Sequence, residues 1–148
     1  MILRINRGFT LIELLIVIAI IGVLSSVVLG SISTARGKSG DSKVKAQLAG
    51  LRDAAEIYYD SNGHYGTEVS DDCVTSEFFS DADTGLVNSS SEANYPTGSS
   101  LSCHTDGTNY AVSALLLGVG GGQAWCVDST GSAHLIPANL VAGEVECP

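Results

Sequence analysis

From Phe9 to Ile32 the chain runs for 24 residues with a single charge, Glu13. As a helix this stretch spans about 36 Å at 1.5 Å per residue, against roughly 30 Å of bilayer hydrocarbon, so it is long enough to cross a membrane with modest tilt. A carboxylate in such a run is costly to leave in hydrocarbon and calls for a partner, which makes Glu13 a candidate functional residue. The residues before it, 1–8, are basic through Arg4 and Arg7 and read as a leader. An ordinary secretory signal would place a cleavage site after its apolar core. Val28-Leu29-Gly30 is a weak match for that, and a carboxylate near the start of the core argues against it.

Charge is segregated along the chain. All seven basic residues (Arg4, Arg7, Arg36, Lys38, Lys43, Lys45 and Arg52) lie in the first 52 positions, which carry +5, and residues 53–148 carry −14. By the positive-inside tendency, Arg4 and Arg7 keep the N-terminus cytoplasmic and send the acidic portion outside. A portion without a Lys or Arg does not neutralise phosphates and is a poor nucleic-acid binder. After the apolar run there is room for one small extramembrane domain.

Beyond Ile32 the helical pattern continues through a weak spot at Gly30, Gly37 and Gly40, each costing up to about 1 kcal/mol relative to Ala. From Val44 the apolar positions Val44, Leu48, Leu51, Ala55 and Tyr58 follow the spacing of one helical face. Lys43, Lys45, Arg52, Asp53, Glu56 and Asp60 occupy the other. Ser61-Asn62-Gly63 suits a left-handed cap. Residues 62–102 are rich in Gly, Ser, Asp and Asn and read as a connecting region. Then three strand-like runs, 109–117, 123–127 and 133–136, alternate with Gly and Asp-Gly turns as an antiparallel meander, one face of which the amphipathic helix covers. The expected fold is α+β: a long N-terminal helix on a small antiparallel sheet head. Its segments are 1–8 (leader), 9–32 (membrane-competent helix), 33–61 (amphipathic continuation), 62–102 (connecting region) and 103–148 (sheet and C-terminal disulfide loop).

Cys73, Cys103, Cys126 and Cys147 all fall in the part placed outside, an even number in an oxidising location, which predicts two disulfides. Zinc is the competing reading, but no C-x-x-C or H-x-x-x-H spacing occurs. Four cysteines allow three connectivities. Sequential pairing, Cys73 with Cys103 and Cys126 with Cys147, is favoured because it closes two local loops, each stabilising by about 3–4 kcal/mol in the chain-entropy treatment. Asp81, Asp83 and Glu92 stand at three calcium-loop positions, but Leu86 occupies the required glycine position, so no metal site and no cofactor are expected. Gly37-Lys38-Ser39 lacks phosphate-loop spacing. His64, His104 and His134 have no motif context, and no nucleophile–base set is visible, so no catalytic residue is assigned.

The stretch Arg7-Gly8-Phe9-Thr10-Leu11-Ile12-Glu13, with the apolar run to Leu24, resembles the N-terminus of type IV pilins and of the pseudopilins of type II secretion. The resemblance implies cleavage between Gly8 and Phe9 by a membrane-embedded prepilin peptidase, which also methylates the new amine of Phe9. It implies that Glu13 meets the Phe9 amine of a neighbouring subunit during assembly on a pilus or secretion platform. The partners implied are further copies of the chain, the peptidase, the assembly platform and the membrane. The implied route is from an inner-membrane precursor to an extracellular filament for attachment or motility. The alternatives are a pseudopilin of a secretion system and a minor pilin whose head binds a surface or DNA. Many relatives carry a helix-bending proline where this chain has Gly30, so any melting of the helix during assembly depends here on Gly30, Gly37 and Gly40.

Overall fold

A computed structural model of the chain describes residues 8–118 and 122–148, leaving the side chains at 29 and 30 outside the description. Of the expected leader only Gly8 is among the described residues; Arg4 and Arg7 are not. The chain divides into two units, with the boundary between Ala35 and Arg36.

Helix α1, Leu11–Asn62, contributes to both. Its start is set by Thr10, whose hydroxyl and backbone N–H engage Glu13. Its end is set by Gly63, whose φ of 75° reverses the chain while its N–H donates to the Tyr59 carbonyl at 2.7 Å. The backbone is helical through Gly30, Gly37 and Gly40. In the first unit every described side chain is exposed, including the whole run from Phe9 to Val28.

The second unit holds a five-stranded antiparallel meander in the order β1 (Val69–Ser70), β2 (Leu101–Thr105), β3 (Tyr110–Leu115), β4 (Ala124–Asp128) and β5 (Ala133–Ile136). Between β1 and β2 lie a short helix α2, Leu86–Ser89, and one 3-10 turn, Glu92–Asn94. The buried helix positions are those expected, Val44, Leu48, Leu51, Ala55 and Tyr58. They join Tyr110, Val112, Ala114 and Cys103 of the sheet with Phe78, Phe79 and Leu86 of the connecting region in one core. Aromatic rings tie this core together, with centroid separations of 5.1 Å for Tyr58–Phe78 and 4.8 Å for Tyr65–Tyr110.

The sheet is covered on its other face as well. Ala111, Ala124, Cys126 and Ile136 pack with Leu140 of the C-terminal segment in a second core. Strand β3 is therefore buried almost throughout and reads as a nearly continuous small-apolar run rather than an alternation. Disulfides Cys73–Cys103 and Cys126–Cys147, with Cα separations of 5.2 and 5.9 Å, fasten the connecting region to β2 and the C-terminal segment to β4.

Strands β1 and β2 have no counterpart among the strands expected from sequence. Leu101-Ser102-Cys103-His104-Thr105 carries three polar side chains, yet all five residues are buried. The polar groups are bonded internally. Thr105 donates to the Tyr65 carbonyl at 2.9 Å, and the Asp71 N–H donates to His104 Nδ1 at 3.1 Å. His104 Nε2 lies 2.9 Å from Ser102 Oγ, which itself lies within hydrogen-bond distance of Asp71 Oδ1 and the Leu140 carbonyl. Buried polar groups without partners would be costly, so this network is what allows a polar sequence to occupy an inner strand.

Burial holds the His104 pKa below its ordinary 6.5, against the pull of Asp71 and Glu144. Donors lower the carboxyls of Asp72 (the Thr75 hydroxyl first), Asp81 (the Thr84 hydroxyl first) and Asp106 (the Asn109 N–H first) below 3.8. The folded state thus favours a neutral imidazole and ionised carboxylates. On acidification the unfolded chain takes up protons first, so stability is full above 6.5 and declines below it, then declines again below 3.8 as the carboxylates protonate.

Two measurements on the detergent-solubilised chain, with Trp125 fluorescence as the probe, check this account. Leu48→Ala should destabilise by about 2–5 kcal/mol, and the exposed change Ala46→Ser by less than about 0.5 kcal/mol. The urea midpoint should fall between about pH 7.5 and about pH 5, whereas a flat profile would show that His104 does not couple to folding.

Candidate functional site

The sequence-marked residues of the first unit gather at the start of α1. Thr10 and Glu13 form a capping box. The Thr10 N–H and hydroxyl donate to Glu13 Oε2 at 2.9 and 2.7 Å, while the Glu13 N–H approaches Thr10 Oγ1 at 3.4 Å. The T-x-x-E spacing that encodes this pair is plain in the sequence, although the charge of Glu13 in an apolar run is the more conspicuous signal. The box has a chemical consequence. It orients the carboxylate at the helix N-terminus, where the helix dipole favours negative charge, and occupies one of its oxygens without neutralising it. Thr10 supplies hydrogen bonds but no positive charge, so the ionic demand of Glu13 remains unmet by this pair.

The Gly8–Phe9 junction is open. A Cβ built on Gly8 meets no atom within 4 Å, and Phe9 is 76% exposed. The helix from Leu11 onward presents Ile, Leu and Val on all sides, a surface that water does not accommodate at this size. An apolar stem, a preset carboxylate near its start and an accessible Gly-Phe junction together suit insertion into hydrocarbon followed by burial against other apolar helices. One helix of this kind satisfies the length and composition of a membrane span.

The glycines marked for helix flexibility fall in different surroundings. A Cβ on Gly37 would come within 2.9 Å of the Gly118 Cα, so the absence of a side chain there allows the loop after β3 to approach the helix closely, whereas one on Gly40 would make ordinary contact with Pro96 at 3.5 Å. One turn on, the buried Asp41, 5% exposed, accepts the Gly118 N–H at 2.9 Å. Its other oxygen has no partner among the described residues. Asp41 carries no sequence motif, and it is the close backbone approach of Gly118 that gives it a role.

The Ser102–His104–Asp71 group contains the residue types of a catalytic triad in the wrong arrangement. His104 Nδ1 accepts from a backbone N–H, so Nε2 carries the proton and faces Ser102 as a donor. A base that already holds its proton toward the serine does not activate it. Ser102 and His104 are also buried. The group is a structural network.

In comparison with known proteins, residues 3–29 match the family described as the prokaryotic N-terminal methylation motif. The type II secretion system core protein G of Escherichia coli (strain K12) is 39% identical over 62 residues, covering 42% of this chain and 43% of that protein. The type IV major pilin protein PilA of Myxococcus xanthus is 38% identical over 60 residues, 40% of this chain and 27% of that protein. The type IV wide pilus major component PilA4 of Thermus thermophilus is 43% identical over 63 residues, 43% of this chain and 48% of that protein. The chain thus matches less than half the length of each of these relatives. No solved structure matches it. Over the matched stretch, which holds the Gly8–Phe9 junction, the Thr10–Glu13 box and the apolar helix, this chain is similar to type IV major pilins and to type II secretion core proteins G.

Proposed function

We propose that the chain is the structural subunit of a type IV pilus-like extracellular filament, made as an inner-membrane precursor and assembled after leader cleavage. The observation that carries this reading is the apolar half of α1, exposed at every described side chain, with Glu13 near its start. Such a surface is stable in a bilayer, and outside one it is stable when packed against copies of itself. In this reading residues 1–8 are a leader held in the cytoplasm by Arg4 and Arg7, 9–32 the membrane anchor and later filament core, and 33–148 the exported part. A prepilin peptidase cuts at Gly8–Phe9 and methylates Phe9. The assembly platform then extracts the subunit.

Glu13 supplies the register. A carboxylate and an ammonium, each unpaired in hydrocarbon, are both costly, and their meeting across two subunits relieves both. Before assembly, the Thr10 box keeps the carboxylate oriented. The second oxygen and the charge are then available to the Phe9 amine of a neighbour. Gly30 is where the helix opens as subunits pack, because Gly37 and Gly40 already have neighbours at close range. The pseudopilin alternative is supported by the secretion relatives. It predicts loss of protein export, without surface fibres on ordinary cells, when the gene is removed.

Glu13→Ala should leave membrane insertion and leader cleavage intact and lower sheared-filament yield at least tenfold, about 1.4 kcal/mol or more per added subunit; undiminished yield would sink the assembly role. Mass spectrometry of the fibre should find N-methylated Phe9 as its first residue, and an uncut Met1 start would contradict processing. A density map of the fibre should show α1 interrupted near Gly30, with unbroken helix from Phe9 to Tyr59 as the contrary result.

A further inference from the structure

We infer that copies of this chain contact one another through a charge-matched joint. The cationic stripe Arg36–Lys43 of one copy seats in an apolar-floored, acid-rimmed groove on the head of the next. The inference rests on the filament reading and specifies a contact between the exported parts.

The groove is a cavity of about 560 Å³ between the residue 71–74 segment, fastened to β2 by Cys73–Cys103, and the α2 and 3-10 segments. Val74, Val87 and Leu101 provide apolar wall, and Asp71, Asp72 and Glu92 provide carboxylates. Val74 is 73% exposed and Val87 is exposed beside it, so apolar surface remains open in a head whose other large side chains are mostly packed. The carboxylates are already held. Asp72 accepts the Val74 and Thr75 N–H groups at 2.9 and 2.8 Å, and Glu92 accepts the Leu101 N–H at 3.1 Å. Preset acceptors lower the ordering cost of taking up a cation. An occupant with an aliphatic stem and a cationic end, as in Lys or Arg, matches both wall and rim.

The charge distribution identifies the occupant. Residues 53–148 contain 14 acidic and no basic residues, so neighbouring heads repel unless cations lie between them. On the cleaved chain all Lys and Arg side chains lie between Arg36 and Arg52. Two of them are engaged with their own sheet: Lys45 lies 4.3 Å from the Trp125 ring centroid, and Arg52 reaches the Gly131 carbonyl at 3.4 Å. The other three, Arg36, Lys38 and Lys43, are exposed, and of these Arg36 and Lys43 are seven residues apart and share one side of the helix. Ser39 and Gly50 continue that side, and a Cβ on Gly50 would meet no atom within 4 Å. Small residues between and beyond the cations let a groove rim approach the helix.

The test co-expresses two full-length alleles, Lys43→Arg and Glu92→Gln, which keep the stripe's charge and the acceptor for Leu101. Intact cells are treated with a zero-length carbodiimide, which joins Lys to carboxylates. A peptide linking Lys43 to Glu92 then arises only between two chains. It is expected in the co-expressing cells and at least tenfold lower when the alleles are carried in separate, mixed cells. Linked peptide together with filaments supports both the joint and the filament reading. Linked peptide without filaments supports the joint and overturns the filament. Filaments without linked peptide overturn the joint and leave the filament reading standing, and absence of both overturns both.

Discussion

Burial of α1 is the constraint on which the rest of this molecule depends. Its first half is apolar all round and every described residue there is exposed, while its second half is apolar along one stripe and that stripe is covered by a sheet. The two halves therefore have different solutions to one problem. The second is satisfied within the chain, by Val44, Leu48, Leu51, Ala55 and Tyr58 against β2–β4. The first is satisfied only by something outside the chain, a bilayer or other copies, and this is why the molecule reads as a component rather than a finished object.

Polar groups show the same division. Inside the head, the buried polar side chains of β2 are bonded to one another and to carbonyls, so they complete the fold. Glu13 is bonded too, but by a threonine that leaves its charge uncompensated. The groove carboxylates Asp72 and Glu92 are likewise held by backbone donors, and Asp71 by the Ser102 hydroxyl, with no Lys or Arg in residues 53–148 to pair with them. In each case the local hydrogen bonds fix geometry and leave an ionic demand that another copy meets in the proposed assembly. Such an arrangement gives contacts direction and register, where apolar packing alone would tolerate sliding.

Much of this was legible beforehand. The apolar run, the carboxylate within it, the amphipathic stripe and the Gly63 cap follow from spacings along one helix, and helix contacts are local in sequence. The two disulfides follow from the even number of cysteines in the acidic part. Strands β1 and β2 were illegible because the partners of Ser102, His104 and Thr105 are Asp71, Leu140 and Tyr65, residues brought together only by the folded chain. Likewise, the small-apolar run of β3 does not reveal that Leu140 covers the sheet's second face.

By itself the sequence determined the long helix, its all-apolar and amphipathic halves, the Gly8-Phe9 motif and the segregation of charge. These are properties of residue type and short-range spacing. The tertiary structure alone decided the sheet's first two strands, the backing of the sheet by the C-terminal segment, the approach of Gly118 to Gly37 and Asp41, and the groove beside Cys73. Each of those joins residues far apart in the chain, and a pairing over such distances depends on which surfaces the core leaves facing one another.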